Sequence, residues 1–122
     1  MALNITHDVL YARESPDDVE SRGAIARDDA IGLFRTFPFA AELASRGRNP
    51  DLTAPTMTFT VESSGDALAI WSEADGRFVI WFPSEFASAD NVSDPGAIEK
   101  CIGLFFDGRT EELSELIRDL GC

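Results

Sequence analysis

The chain has 122 residues, of which 22 are acidic and 10 are basic, so its formal net charge is -12 and its pI is near 4.2. The excess of acid is uneven, because residues 1–55 carry 9 acids and 6 bases whereas residues 56–122 carry 13 acids and 4 bases. Such a charge repels nucleic acid and anionic lipid and attracts basic partners. The composition therefore argues against nucleic-acid binding, which needs a basic stripe, and against a membrane as the partner.

Length and composition predict one domain over residues 1–122 with a real hydrophobic core. Apolar residues make up 44% of the chain and include nine Phe and two Trp, which is too many for a disordered acidic tail. No apolar run reaches the roughly 18 residues of a membrane helix. The beginning of the sequence lacks the basic and apolar segments of a signal peptide, so the expected location is the cytoplasm.

The first half of the chain predicts one strand followed by helices. Residues 3–11 alternate apolar and polar side chains, which is the period of a half-buried strand. The Ser-Pro pair at 15–16 is typical of a helix start, and Gly23 is expected to end or interrupt that segment. A further helical region is predicted over 28–46, with a break at Pro38 because proline lacks the amide donor.

The middle of the chain predicts an antiparallel meander. Residues 56–62 and 67–71 alternate in polarity, and the Asp-Gly pair at 75–76 is a strong hairpin signal. The uninterrupted apolar run 78–82 predicts a strand that is covered on both faces. Residues 84–94 are expected to form a polar loop.

The C-terminal part predicts two amphipathic helices. They begin near Asp94 and Thr110, and apolar side chains recur along each at the spacing of one buried face. Leu116 and Ile117 are expected to be almost fully buried. The predicted fold class is α+β, with an antiparallel meander of three to four strands packed by the C-terminal helices and the 28–46 region on a sheet edge or the second sheet face.

The sequence contains no motif for catalysis, a metal or a cofactor. The single histidine, His7, lacks Cys or carboxylate partners at metal-ligand spacing. Cys101 lies in an apolar helical stripe, where cysteine behaves as a small hydrophobic residue. Neither G-x-S-x-G nor a glycine-rich phosphate loop occurs. We therefore expect a protein without catalytic residues, metal or cofactor.

Trp71 and Trp81 are the candidate contact residues. If Phe59 and its alternating neighbours face the core, Trp71 faces the opposite side of the sheet. A three-residue turn at 74–76 places Trp81 beside it, whereas a two-residue turn at 75–76 sends Trp81 to the core. Aromatic residues anchor interfaces and charges steer the approach. The alternative is that a helix covers this face. The candidate partner-binding residues are Trp71, Trp81, Glu62, Asp66, Glu73, Asp75, Glu85 and Asp90.

In size, charge and missing chemistry the chain resembles bacterial immunity proteins, which block basic toxins by covering the active site. This resemblance carries no motif and transfers no residues. It implies a non-enzymatic, acidic protein-binding domain with a basic protein as partner. One alternative is a secretion-chaperone-like protein, of a class that is usually homodimeric. Another is a small enzyme or ligand-binding domain with a pocket between sheet and helices.

Overall fold

The computed structural model describes residues 5–10, 20–46, 55–74 and 77–121. Its strands are Ile5–Leu10 (β1), Glu20–Ala24 (β2), Thr56–Val61 (β3), Ala67–Ala74 (β4), Arg77–Phe82 (β5) and Ala87–Val92 (β6). Its helices are Arg27–Thr36 (α1), Phe39–Arg46 (α2), Pro95–Phe106 (α3) and Thr110–Leu120 (α4), and Pro83–Glu85 forms a single 3₁₀ turn between β5 and β6.

The six described strands form one antiparallel sheet in the order β2-β1-β3-β4-β5-β6. The α+β class is therefore right, but the expected three to four strands is wrong. The additional strands are the two edges. Both are rich in polar and small residues, which suits an edge strand but hides it from a search for apolar alternation.

Both edge strands lie in parts of the chain for which the sequence predicted other structures. β2 contains Gly23, which has a φ of +82° and was expected to end or interrupt a helical segment. The helix start predicted at 15–16 lies outside the described residues. The polar loop predicted over 84–94 is wrong, because residues 87–92 pair with β5 as β6.

One face of the sheet carries the core. Cross-strand neighbours on this face include His7 opposite Phe59, Phe59 opposite Leu68, and Ile70 opposite Ile80. The apolar members of these pairs are completely buried. Strand alternation therefore directs the intervening residues to the other face.

The helices pack on the core face. Phe34 in α1 and Phe39 in α2 both contact Phe78, with ring centroids 5.3 and 5.2 Å away. In α3, Phe106 meets Phe59 at 5.6 Å, and Phe105 meets Phe82 at 6.0 Å. The expected position of the 28–46 region, on an edge or the second face, is wrong: α1 and α2 share the core face with the C-terminal helices, and α1 packs directly on α3.

The strand 78–82 is buried on one face only, so the prediction that both faces are covered is wrong. Ile80 and Phe82 are buried, whereas Trp81 is 46% exposed. An apolar run signals burial on both faces only when the residues of the second face also find partners.

The C-terminal helices follow the predicted pattern with one exception. Ile117 is completely buried, but Leu116 is only partly buried at the edge of the core. The expectation of near-complete burial is therefore right for Ile117 and wrong for Leu116. The buried face of α4 runs through Leu113 and Ile117, four residues apart on one side of the helix.

The start of α3 gives a first test of the local structure. The carboxylate of Asp94 accepts a hydrogen bond of 3.0 Å from the amide of Gly96, and Pro95 occupies the first helical position. Asp94→Ala is expected to lower the free energy of unfolding by about 1 kcal/mol, because it removes this cap. Asp94→Asn keeps a capping oxygen and serves as the control. Equal melting temperatures for the two variants would show that the cap adds nothing.

Candidate functional site

The face of the sheet opposite the core is the candidate site, and we call it the tryptophan face. None of the described helices packs on it. Its β1 and β3 half is mainly threonine, and its β4 and β5 half carries the tryptophans and small apolar residues. It comprises Thr6, Asp8, Thr56, Thr58, Thr60, Ala67, Ala69, Trp71, Arg77, Val79, Trp81 and Ser88.

The register of β4 and β5 places both tryptophans on this face. Trp71 lies opposite Val79 and Trp81 lies opposite Ala69, so the two indoles form a diagonal pair across adjacent strands. Diagonal neighbours in antiparallel strands are about 7–8 Å apart at their backbones, within reach of aromatic side chains. Trp71 is half-buried, and Trp81 is the more exposed of the two.

A bulge explains how a short connection is compatible with this register. Ala74 pairs with Arg77, so only the two residues 75 and 76 separate the paired ends. The register then shifts by one residue between Ala74 and Trp71. A change of one residue in the register exchanges the two faces of a strand. The shift therefore places Val79 and Trp81 on the tryptophan face, where the sequence predicted them only for a three-residue turn.

Three of the predicted acidic residues meet at one end of the sheet. Glu62 is exposed in the turn after β3, Asp66 precedes β4, and Glu85 lies in the turn between β5 and β6. The Ser84 hydroxyl donates to Asp66 Oδ1 at 2.6 Å, which joins the two turns. We call this group of connections the acidic end of the sheet.

The other predicted acids are dispersed. Asp90 is exposed on edge strand β6, beside a bulge at which Asn91 has a φ of +56°. Glu73 belongs to the last part of β4, and Asp75 lies outside the described residues. Asp8 is not among the predicted residues, although it is half-buried on the tryptophan face opposite Thr58. Asp8 alternates with the buried residues Ile5 and Val9, and this pattern could have placed it on the face opposite the core.

Sequence reasoning also missed Phe86. Its side chain is 94% exposed, and its backbone is left-handed, with a φ of 52° and a ψ of 34°. Among the described residues, Phe86 and Trp81 are the two exposed large hydrophobic side chains. The surrounding sequence, Ser-Glu-Phe-Ala-Ser, gives no periodic signal that would place a phenylalanine in solvent.

Two concave sites lie away from the tryptophan face. A cleft of about 240 Å³ has Val61, Phe82 and Leu113 among its apolar lining residues and Asp66 and Arg109 among its polar ones. Asp66 accepts from Ser84, and Arg109 pairs with Glu112 at 3.2 Å. The charged groups of this cleft are therefore already engaged with neighbours.

The second concave site is an aromatic groove of about 490 Å³ at the junction of α1 and α2. It is lined by Phe34, Phe37, Phe39 and Phe78. At its border, Arg35 forms two contacts with Glu99 Oε1, at 2.8 Å from Nε and 2.6 Å from Nη2. The charged groups of this groove therefore also satisfy each other and do not point at a ligand.

Cys101 and His7, which the sequence analysis considered for chemistry, both have structural roles. Burial raises the pKa of the Cys101 thiol to about 12, although Lys100 nearby acts in the opposite direction. The thiol therefore stays protonated at neutral pH, and the thiolate is the reactive form. His7 is buried beside Phe59, and its Nδ1 lies 2.9 Å from the carbonyl oxygen of Gly23 in β2.

Comparisons of the chain with protein-family models, with curated proteins and with solved structures give no match. Within residues 5–10, 20–46, 55–74 and 77–121, no three His, Cys, Asp or Glu residues come together in a group that could hold a metal ion. The described helices include none that is long and apolar enough to span a membrane.

Proposed function

We propose that this chain is a non-enzymatic protein-binding domain of the immunity or inhibitor type, which binds a basic protein such as a bacterial toxin through its tryptophan face. The observation that carries the proposal is the one-sided layering of the fold. The described helices all cover one face of the sheet, and on the other face Trp81 remains 46% exposed.

The chemistry of the tryptophan face supports a protein partner. An exposed tryptophan offers a large apolar area with few rotatable bonds, and tryptophan is enriched among the residues that dominate binding energy. The threonines of β1 and β3 supply hydroxyl groups for hydrogen bonds beside the tryptophans. The face therefore combines an apolar part and a polar part, as protein interfaces do.

Charge specifies the kind of partner. The chain carries a net charge of -12, and the acidic end of the sheet borders the strands that hold both tryptophans. Such a field accelerates the approach of a basic protein. The same field opposes association of two copies, which argues against the homodimeric secretion-chaperone alternative. Nucleic acid is disfavoured as a partner for the same reason.

The ligand-binding alternative has less support. Concave sites exist, but their charged groups pair within the protein, as with Arg35 and Glu99. A ligand site normally presents a few polar groups that converge on the space to be filled.

The direct test is a pull-down with the folded domain in the cells that naturally contain it, at low and at high salt. We expect it to recover a basic protein, and to recover more of it at low salt than at high salt. Association kinetics with that protein then test the location of the charge. We compare a triple variant, Glu62→Gln, Glu85→Gln and Asp90→Asn, with a matched set on the helices, Asp28→Asn, Asp29→Asn and Glu115→Gln.

The first set is expected to slow association more than the second, although both remove three charges. Steering by a charged surface is worth roughly 10–10³-fold in on-rate at low salt. The difference should vanish near 1 M salt, because the Debye length falls from about 10 Å at about 0.1 M salt to about 3 Å at 1 M. Equal slowing by both sets, or an on-rate that ignores salt, would mean that the acidity serves solubility and does not guide a partner.

A further inference from the structure

Phe86 is exposed at a position where burial would be expected of it. It is 94% exposed, although the other phenylalanines of the same region, such as Phe82 and Phe105, are buried in the core. A side chain of this size in water gains nothing for the fold from the hydrophobic effect. Its ring is therefore available for a contact outside the folded chain.

The backbone at Phe86 adds an independent observation. The residue has a φ of 52° and a ψ of 34°, the left-handed region in which a bulky side chain is an outlier. Glycine or asparagine would adopt this conformation more easily. Strain of this kind persists where the surrounding structure imposes it, and it clusters at binding and functional sites.

Three hydrogen bonds impose the conformation. The Phe86 amide donates to the Pro83 carbonyl at 3.1 Å. The Ser84 hydroxyl donates to the carboxylate of Asp66, and Arg118 Nη2 donates to the Glu85 carbonyl at 2.9 Å. The turn is thereby tied to the start of β4 and to α4. A ring presented on a turn held in this way loses little conformational entropy when it binds.

Phe86 also lies next to the tryptophan face. Trp81 is paired with Ser88, and Phe86 precedes Ser88 by two residues, so their Cα atoms are at most roughly 7 Å apart. Glu85 is adjacent in sequence, and Asp66 is connected through Ser84. The turn and its neighbour thus carry two carboxylates, although Arg118 also reaches the turn. With a net charge of -12 on the chain, the complementary surface is an apolar pocket surrounded by Lys or Arg.

We infer that Phe86 is an anchor residue that inserts into an apolar pocket, rimmed by basic side chains, on the protein partner. This inference rests on the proposed function, since it names a specific contact within that interface. The partner is a basic protein and not a second copy of the chain, because two chains that each carry a net charge of -12 repel each other.

The test uses the whole domain in its native cells, with the photo-reactive residue p-benzoylphenylalanine incorporated in place of Ser88. This position is exposed on the tryptophan face beside Trp81. Irradiation is expected to give an adduct with one basic protein. Phe86→Gly in the same background should lower the adduct yield at least about 10-fold, because truncating an anchor residue commonly costs this much or more. Phe86→Tyr keeps the ring and should retain the adduct.

Thermal melting of the purified variants separates binding from folding. Phe86→Gly should leave the melting temperature unchanged or raise it by up to about 4 °C, since it relieves the left-handed strain and removes no buried contact. A clear fall in the melting temperature would show that the ring supports the fold, and would overturn the inference.

The adduct experiment tests the anchor role of Phe86 separately from the proposed function. A basic adduct that persists in Phe86→Gly would overturn the anchor while leaving the proposed function intact. An adduct with a second copy of the chain, or the absence of any adduct with a basic protein, would contradict the proposed function itself.

Discussion

Phe59→Ala is expected to lower the free energy of unfolding by about 3–5 kcal/mol. Phe59 lies in β3 near the middle of the sheet and is completely buried. It sits opposite His7 on one side and Leu68 on the other, and it meets the ring of Phe106 edge-on at 5.6 Å. Truncation loses the transfer free energy of the ring and leaves a cavity between the sheet and α3. Chemical denaturation monitored by far-ultraviolet circular dichroism measures the change.

Trp81→Ala provides the matched control for this prediction. Trp81 is also aromatic and also lies in a strand, but it is 46% exposed and belongs to the other face. Its loss should lower the free energy of unfolding by about 1 kcal/mol, the range of strand propensities. Comparable destabilisation by Phe59→Ala and Trp81→Ala would mean that both faces of the sheet are packed, which contradicts the one-sided fold.

Trp81→Ala is in turn expected to weaken binding of the basic partner by about 30-fold or more, which corresponds to about 2 kcal/mol. The reason is that the exposed Trp81 indole becomes buried only in the complex. The loss should appear mainly as faster dissociation, because truncating a buried contact acts on the off-rate. Surface plasmon resonance with the recovered partner measures both rates.

Glu115→Ala is the binding control, because Glu115 is exposed on α4 in the helical layer. It should leave the dissociation rate unchanged. If Glu115→Ala weakened binding and Trp81→Ala did not, the partner would contact the helices and the tryptophan face would not be the interface.

Several parts of the fold could be predicted because local pattern and tertiary environment agree. The alternation of β3 and of the first part of β4 matches their one-sided burial, and the capping residue Asp94 marks the start of α3. Ile117 is buried as the helical spacing indicates.

The features that escaped prediction depend on contacts distant in sequence. β2 and β6 are strands because they complete the edges of a sheet, and their own residues favour turns and loops as much as strands. The placement of Trp81 depended on a bulge after Trp71, which no local signal specified. Leu116 differs from Ile117 only in its angle on α4 relative to the core. In each case the position of a neighbouring element decided between alternatives that the local sequence left open.

The candidate site was predicted in part for the same reason. Alternation identified Trp71 as belonging to the face opposite the core, and it left Trp81 open between the two faces. The meeting of Glu62, Asp66 and Glu85 at one end depends on how two turns pack together. Phe86 was missed because an exposed phenylalanine in a left-handed turn runs against both burial and backbone preference.

The central claim, that a basic protein binds the tryptophan face, is tested most directly by nuclear magnetic resonance of the ¹⁵N-labelled domain. The chain has only two tryptophans, and both belong to this face, so their two indole N–H signals report on it specifically. On titration with the unlabelled partner from the pull-down, we expect the Trp81 indole signal to shift or broaden saturably, together with the amide of Ser88, while amides such as that of Lys100 in α3 stay unchanged. Saturable binding that shifts the α3 amides and leaves both indole signals in place would contradict the account.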